Sequence, residues 1–144
     1  MTSEIGKETA RPRKTLQSVA ALFAGFVVNV ALSLCTDLGL HAIGILPALG
    51  QPETDSQLML ATAYRTLYGV ISSYVVARLA PNRPMGHALL GGAIGMVLAT
   101  AGAAATWNKG LGPHWYPLAL IVTALPSAWA GGKLRVLQMQ QVQH

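Results

Sequence analysis

Arg65 is the residue whose type and position most invite chemistry, because it lies inside an otherwise apolar stretch of the chain. A charge within a membrane-spanning helix is energetically costly unless it pairs or reaches the interface, and such residues often mark functional sites. The spacing puts Arg65 about two helical turns from the end of its stretch, roughly 10 Å deep. It is therefore the first candidate for a site.

Acidic partners for Arg65 lie on the same side of the predicted membrane. Asp37 ends the preceding apolar stretch and is the expected partner, with Glu53 and Asp55 as alternatives. Tyr64 flanks Arg65 and is placed to orient it. We expect Arg65 and Asp37 to form either a structural ion pair or a site for an anion or a lipid headgroup.

No other set of side chains has the spacing of a catalytic or metal-binding motif. The single cysteine, Cys35, excludes a disulfide framework and a dithiol centre. His41 and His114 would make a minimal metal site with Asp37, but the histidines show neither HxH nor HxxxH spacing, so we expect no metal. Nucleophile-elbow, phosphate-loop and HExxH sequences are also lacking. The sequence predicts neither an enzyme nor a bound cofactor.

The composition indicates a membrane protein. Of the 144 residues 52% are hydrophobic and 10% are charged, whereas a soluble domain carries about a quarter charged residues. The apolar residues fall into four windows, each near the roughly 20 residues that a helix needs to cross a bilayer. The windows are residues 16–36, 58–79, 87–106 and 115–131. We predict an all-α membrane protein with four transmembrane helices in an antiparallel bundle over residues 15–135.

The basic residues set the expected orientation, because positively charged flanks stay in the cytoplasm. With the N-terminus inside, eight of the ten Lys and Arg residues are cytoplasmic, Lys109 is external and Arg65 lies within a helix. The eight are Lys7, Arg11, Arg13, Lys14, Arg78, Arg83, Lys133 and Arg135. We predict that both termini are cytoplasmic. The same distribution accounts for the basic pI without nucleic acid, so the lipid bilayer is the expected partner.

The segments outside the windows are the ends of the chain and one long connection. Residues 1–14 are predicted to form a disordered basic cytoplasmic tail, and residues 136–144 a second cytoplasmic tail. The external connection, residues 38–57, contains an apolar stretch that either extends the first helix or lies among the lipid headgroups. The sequence leaves these two alternatives open.

Small and polar residues recur at four-residue steps in three windows, which places each set on one helix face. Small residues let membrane helices approach closely, and Asn or Ser can hydrogen-bond across the contact. We expect four glycines at helix contacts: Gly25, Gly69, Gly91 and Gly95. We expect three polar side chains in the bundle interior: Asn29, Ser33 and Ser73.

Three segments of the sequence resemble a family of small bacterial four-helix membrane proteins with no assigned activity. They are ARLAPNRPMGHALLGG at 77–92, YPLAL at 116–120 and PSAWAGGKL at 126–134. The resemblance extends over about residues 15–135. It implies a multi-pass location in the bacterial inner membrane and this architecture, and it assigns no site.

Two classes of function agree with these features. The first is a non-enzymatic membrane component that binds a lipid, another membrane protein or a second copy of itself in a homo-oligomer. The second is a small transporter or channel with a polar path along Asn29, Ser33, Arg65 and Ser73. The first window has Asn29 but no acid at mid-depth, and the last two windows carry no charge, which favours binding.

Overall fold

The computed structural model describes residues 2–48 and 50–143. These residues form four α-helices and no strand, as the predicted all-α class requires. The helices are α1 (Thr2–Ala42), α2 (Asp55–Leu79), α3 (Pro84–Thr106) and α4 (Trp115–Gln141). The shortest has 23 residues, and at about 1.5 Å per residue every helix exceeds the roughly 30 Å of a bilayer core.

Local sequence signals explain where the central helices begin and end. Thr54 precedes α2, and its backbone N–H donates to Gln57 Oε1 at 2.9 Å, which completes a capping box. Pro81 follows Ala80, the C-cap of α2, and Pro84 occupies the first turn of α3, where its missing N–H has no helical partner to lose. The short connection between them makes α2 and α3 antiparallel neighbours.

α1 is longer than its predicted window at both ends. It begins at Thr2, so residues 2–14, predicted as a disordered tail, are helical; Met1 lies outside the described residues. The sequence of this segment favours a helix because Glu4 precedes Lys7, and Glu8 precedes Arg11, by three positions. At the other end α1 runs to Ala42, so the apolar connection begins as a helical extension and continues in turns.

α4 also extends beyond its predicted end, into the segment predicted as the second tail. The helix continues to Gln141. Tyr74 Oη donates to Gln138 Oε1 at 2.7 Å, which ties this last part of α4 to α2. His144, the end of the predicted tail, lies outside the described residues.

α2 occupies the centre of the bundle and contacts the other three helices. α3 packs along α2 and α4 but contacts α1 over only a short stretch. α1 and α4 do not touch within the described parts of the chain. α1 therefore lies against one side of a three-helix unit and leaves a gap beside α3.

The bundle has small residues inside and large apolar residues outside. Its buried positions are mostly alanine and serine, and among the described residues no large side chain is fully buried. Conversely, Phe23 on α1, Val97 on α3 and Val122 on α4 are 66%, 63% and 71% exposed. A soluble domain buries such side chains in a close-packed core. The large apolar side chains of the described helices therefore lie mostly on the outer surface of the bundle.

Glycines bring α4 into close contact with its neighbours. A Cβ on Gly131 would meet the Val70 carbonyl oxygen and, at 2.7 Å, the Tyr74 backbone nitrogen. A Cβ on Gly132 would lie 2.9 Å from Ala88 Cβ. Because these groups are backbone or rigid methyls, only glycine fits at this approach of α4 to α2 and α3.

The predicted packing glycines lie in three different environments. Gly25 faces Val76 and the Ser72 carbonyl oxygen, and Gly69 faces Ser127 Oγ at 2.8 Å from an added Cβ, so both lie at close helix contacts. Gly91 is in ordinary van der Waals contact, with Leu22 Cδ2 at 3.5 Å. The predicted contact at Gly95 is wrong, since nothing lies within 4 Å of its added Cβ.

The prediction fails at Gly95 because α3 turns a different face toward α4 than the one that carries Gly91 and Gly95. The close contact of α3 with α4 is at Gly92, where a Cβ would meet Ala128. One residue rotates a helix position by about 100°. Gly91 and Gly95 therefore face away from α4, toward the gap beside α1.

We expect Gly131→Ala to lower the thermal midpoint in detergent by several degrees, because the new methyl group overlaps backbone atoms of α2. Gly95→Ala is the matched control. It adds the same atom in open space and removes a helix glycine, so its midpoint should be unchanged or higher. Thermal melts followed by circular dichroism measure both. Equal losses at the two positions would contradict the packing described here.

Candidate functional site

A cavity of about 500 Å³ lies at the end of the bundle where α1 and α3 end and α2 and α4 begin. We call it the vestibule. Charged, aromatic and imidazole side chains dominate its polar lining. They are Asp37, His41, Glu53, Tyr64, Arg65, Trp107, His114 and Tyr116. The vestibule thus joins residues from all four helices and from both connections at this end.

Arg65 and Asp37, singled out in the sequence, meet in the wall of the vestibule. Arg65 Nη2 donates to Asp37 Oδ2 at 2.6 Å, and the two side chains are 34% and 24% exposed. Tyr64 Oη donates to the other carboxylate oxygen, Oδ1. The Tyr116 ring centroid lies 6.0 Å from Arg65 Cζ, within range of a cation–π contact. Both oxygens of Asp37 are therefore bound by side chains of α2.

The network is held in place by the packing of α1 on α2. His41 lies one turn after Asp37 in α1, and its Nδ1 donates to the Asp37 carbonyl oxygen at 2.7 Å. Thr36 Oγ1 and Tyr68 Oη are 2.7 Å apart and form a further hydrogen bond between α1 and α2. This bond and the bonds to Asp37 fix the register of α1 on α2, while the His41 bond lies within α1.

Arg65 keeps unused hydrogen-bonding capacity. A guanidinium has five N–H donors, and Asp37 takes one of them. The Nε atom is shielded from water and has no hydrogen-bond partner among the described residues. Because the side chain as a whole is 34% exposed, a ligand oxygen reaches Arg65 through its other N–H groups and not through Nε.

A second cavity, of about 650 Å³, fills the gap that α1 leaves beside the other helices. We call it the cleft. Its walls are the α1 face from Val19 to Ser33 and parts of α2, α3 and α4. Phe26 on α1 and Leu98 on α3 form two of its edges and are both exposed, so the cleft opens sideways between these helices. Gly91 and Gly95 line it, which is why they lack close helix contacts.

The cleft and the vestibule meet at Arg65. Three residues line both cavities: Arg65, Ala99 and Leu120. The polar residues predicted for the bundle interior, Asn29, Ser33 and Ser73, all line the cleft. Asn29 Oδ1 is shielded from water and unpartnered among the described residues. The two cavities are therefore adjacent, with the mainly apolar cleft between the helices and the more polar vestibule at the bundle end.

The opposite end of the bundle is packed tightly. Gly131 and Gly132 of α4 press against α2 and α3 there, and an added Cβ on Gly132 would lie 2.9 Å from Met85 Sδ. Between α1 and α3, Ser18 Oγ and His87 Nε2 are 2.9 Å apart. Both cavities therefore lie away from this closely packed end of the bundle.

No sequence pattern indicates that Trp107 and Tyr116 contribute to the vestibule. They come from the ends of α3 and α4, far from Arg65 in the chain, so only tertiary packing brings them to it. His41 and His114 both line the vestibule. In the part of the chain that the structure describes, no group of three or more His, Cys, Asp and Glu residues is placed to hold a metal ion.

Comparison of the chain with family models, curated proteins and solved structures gives no match. The geometry of the cleft and the vestibule is therefore the basis for a functional proposal.

We expect the Arg65–Asp37 pair to be energetically coupled. Arg65→Gln and Asp37→Asn should each lower stability, while the double variant should lose less than their sum, because a single variant leaves one charge without its partner. A coupling free energy of about 0.5–3 kcal/mol is expected for groups in direct contact. Unfolding of the full chain in detergent or nanodiscs measures it.

Asp55→Asn with Arg65→Gln is the control pair, because Asp55 accepts a hydrogen bond from Trp115 Nε1 and is not in the vestibule wall. This pair should be additive. Additive losses for Asp37 and Arg65 as well would show that the contact contributes nothing specific to stability.

Proposed function

We propose that the protein is a four-span membrane protein that binds the hydrocarbon chain of a lipid in the cleft. Its role is binding rather than catalysis, and its ligand enters sideways from the bilayer. The membrane location, the number of spans and the ligand are each supported by a separate observation.

A membrane location is supported by the burial of the most apolar helices. Among the described residues, two helical segments, Arg13–Ala42 and Pro84–Thr106, are long and apolar enough to cross a bilayer. Only 11% and 17% of their most apolar windows are buried. The core helix of a soluble protein is mostly buried, and a cleaved signal segment would not explain the exposed second helix. Hydrocarbon is the surrounding that satisfies both surfaces.

Four spans are supported by the way α2 and α4 accompany α3. α2 reaches α3 through a short turn, and α4 packs along both, so all three lie side by side. Leu67 on α2 and Val122 on α4 are exposed large apolar residues. The charged residue within these spans, Arg65, has an acidic partner, which offsets part of the cost of placing it there.

The inner-membrane location and the N-in, C-in orientation rest on the basic flanks and on the family resemblance. In this orientation the vestibule faces the external side. Trp107 and Trp115 lie at that end, while Lys133 Nζ lies 4.6 Å from the Trp129 ring centroid at the other. Tryptophans at both ends agree with aromatic belts at the two interfaces.

The cleft is the observation that carries the lipid-binding proposal. Its volume of about 650 Å³ is that of a typical small-molecule site, and its lining is mainly apolar. It opens between α1 and α3, on a surface that already faces hydrocarbon in this proposal. A lipid chain entering from the side replaces empty space with van der Waals contacts and needs no rearrangement of the closely packed α2, α3 and α4.

A transporter is the second candidate, and the junction at Arg65 favours it. Because the cleft and the vestibule share lining residues, a lipid-soluble molecule has a route from the bilayer to the external face. The tight packing at Gly131 and Gly132 gives no corresponding route to the other side. Binding therefore explains the geometry with fewer assumptions, and liposome flux assays separate the two candidates.

Filling the cleft should abolish lipid binding without unfolding the protein. Gly95 lines the cleft and has no atom within 4 Å of an added Cβ, so Gly95→Phe places a ring in the space assigned to the chain. Val97→Phe is the matched control, because Val97 lies on the same helix, is exposed and is not in the cleft wall.

Native mass spectrometry of the full chain, purified in mild detergent, measures the phospholipid that remains bound. We expect the unmodified protein and Val97→Phe to retain lipid, and Gly95→Phe to retain about tenfold less, equivalent to about 1.4 kcal/mol. Equal retention by both variants, with unchanged thermal midpoints, would contradict binding in the cleft.

A further inference from the structure

The charges in the vestibule wall do not balance. It contains one guanidinium, from Arg65, and two carboxylates, from Asp37 and Glu53, so its formal charge is negative while His41 and His114 are neutral. Asp37 is bound by Arg65 and Tyr64. Glu53 is the acidic group left over.

Glu53 is available to a ligand. Its side chain is half-buried, lines the vestibule, and has no salt bridge or hydrogen bond in the described part of the chain. A carboxylate in this state favours a positively charged donor, since a charge-assisted hydrogen bond is stronger than a neutral one.

Arg65, in the same cavity, favours a negatively charged group of the ligand. Asp37 accepts from one of its five N–H donors, the Arg65 side chain is 34% exposed, and a guanidinium is well suited to phosphate oxygens. An anionic headgroup alone would satisfy Arg65 but bring its charge toward Glu53 and Asp37. A cation alone would satisfy Glu53 but leave the Arg65 donor unused. A headgroup that carries both charges satisfies both residues.

We propose that the vestibule is the headgroup site of the bound lipid and selects a zwitterionic head with a phosphate beside a primary amine, as in phosphatidylethanolamine. The phosphate accepts from Arg65, and the ammonium donates to Glu53. This inference rests on the proposed binding of the chain in the cleft. Because Arg65, Ala99 and Leu120 line both cavities, the two sites are adjacent, and in this proposal a lipid with its chain in the cleft extends its head past these residues into the vestibule.

Lysophospholipids with one identical acyl chain isolate the effect of the headgroup. Native mass spectrometry titrations of the full chain in detergent compare lysophosphatidylethanolamine with lysophosphatidylglycerol, which has the phosphate but no amine. We expect the ethanolamine lipid to bind about tenfold more tightly, the effect of one charge-assisted hydrogen bond. Glu53→Gln should remove this preference while leaving binding of the glycerol lipid unchanged or tighter.

Asp55→Asn is the matched control, because Asp55 is an acid two residues after Glu53, at the start of α2, and is not in the vestibule wall. This variant should keep the ethanolamine preference. Arg65→Gln should weaken both lipids, since both have a phosphate. Free phosphoethanolamine, which has the head but no chain, should fail to compete at the concentrations where the lysolipid binds.

The outcomes separate this inference from the function on which it rests. Equal binding of the two lysolipids, or a preference that survives Glu53→Gln, would overturn the headgroup assignment and leave chain binding intact. Competition by free phosphoethanolamine at equal strength would also overturn it, because head and chain would then not belong to one ligand. If neither lysolipid binds, the proposed function itself is overturned.

Discussion

The close approach of α4 to α2 and α3 is the constraint on which the rest of the structure depends. Gly131 and Gly132 bring α4 against the backbone of α2 and against Ala88 of α3. Because the three helices meet through small residues, their large apolar side chains have no interior to fill and point outward. Close packing inside and an apolar outer surface are thus two consequences of one distribution of residue sizes.

The position of α1 is set by two contacts with α2. α1 contacts α2 closely at Gly25, where Val76 leaves no space for a Cβ, and again at Asp37, where Arg65 and Tyr64 bind the carboxylate. These two attachments lie at different heights along α2. Between α1 and α3 there is no comparable packing, and the cleft is the space that results.

Arg65 serves both as a structural tie and as part of the site. Its ion pair with Asp37 holds α1 on α2 at the end of the cleft that adjoins the vestibule. Its Nε–H has no acceptor among the described residues, and the rest of the guanidinium is partly exposed to the vestibule. Two uses of one guanidinium are compatible because its N–H groups point in different directions within one plane. The same residue therefore stabilises the cavity and gives it polarity.

The sequence predicts much of the fold because its strongest signals are local. The four apolar windows, the prolines at 81 and 84 and the charge at Arg65 are visible without any tertiary information. Asp37 directly follows the first window, on the side of the predicted membrane where Arg65 lies. The rotation of α3 was not predictable in this way. Gly91 and Gly95 form one small-residue face and Ala88 and Gly92 another, so only the partner helix decides between them.

The vestibule was less predictable than the ion pair. Its aromatic wall and Glu53 come from separate elements, and their meeting depends on the packing of all four helices. The cleft was unpredictable for a related reason, since it is the absence of a contact between α1 and its neighbours. Sequence patterns indicate which faces are able to pack and do not indicate which of them remain open.

Lipid exposure of α2 and α4 tests the central claim most directly, because these helices fall outside the two segments that are apolar enough to be identified as spans. Spin labels at Leu67 and Val122, after Cys35→Ala, report collisions with oxygen, which concentrates in hydrocarbon, and with a water-soluble nickel chelate. The account predicts high oxygen and low nickel accessibility at both positions in nanodiscs, with the reverse at Lys109 in the loop between α3 and α4. Nickel accessibility at Leu67 and Val122 equal to that at Lys109 would contradict a four-span bundle.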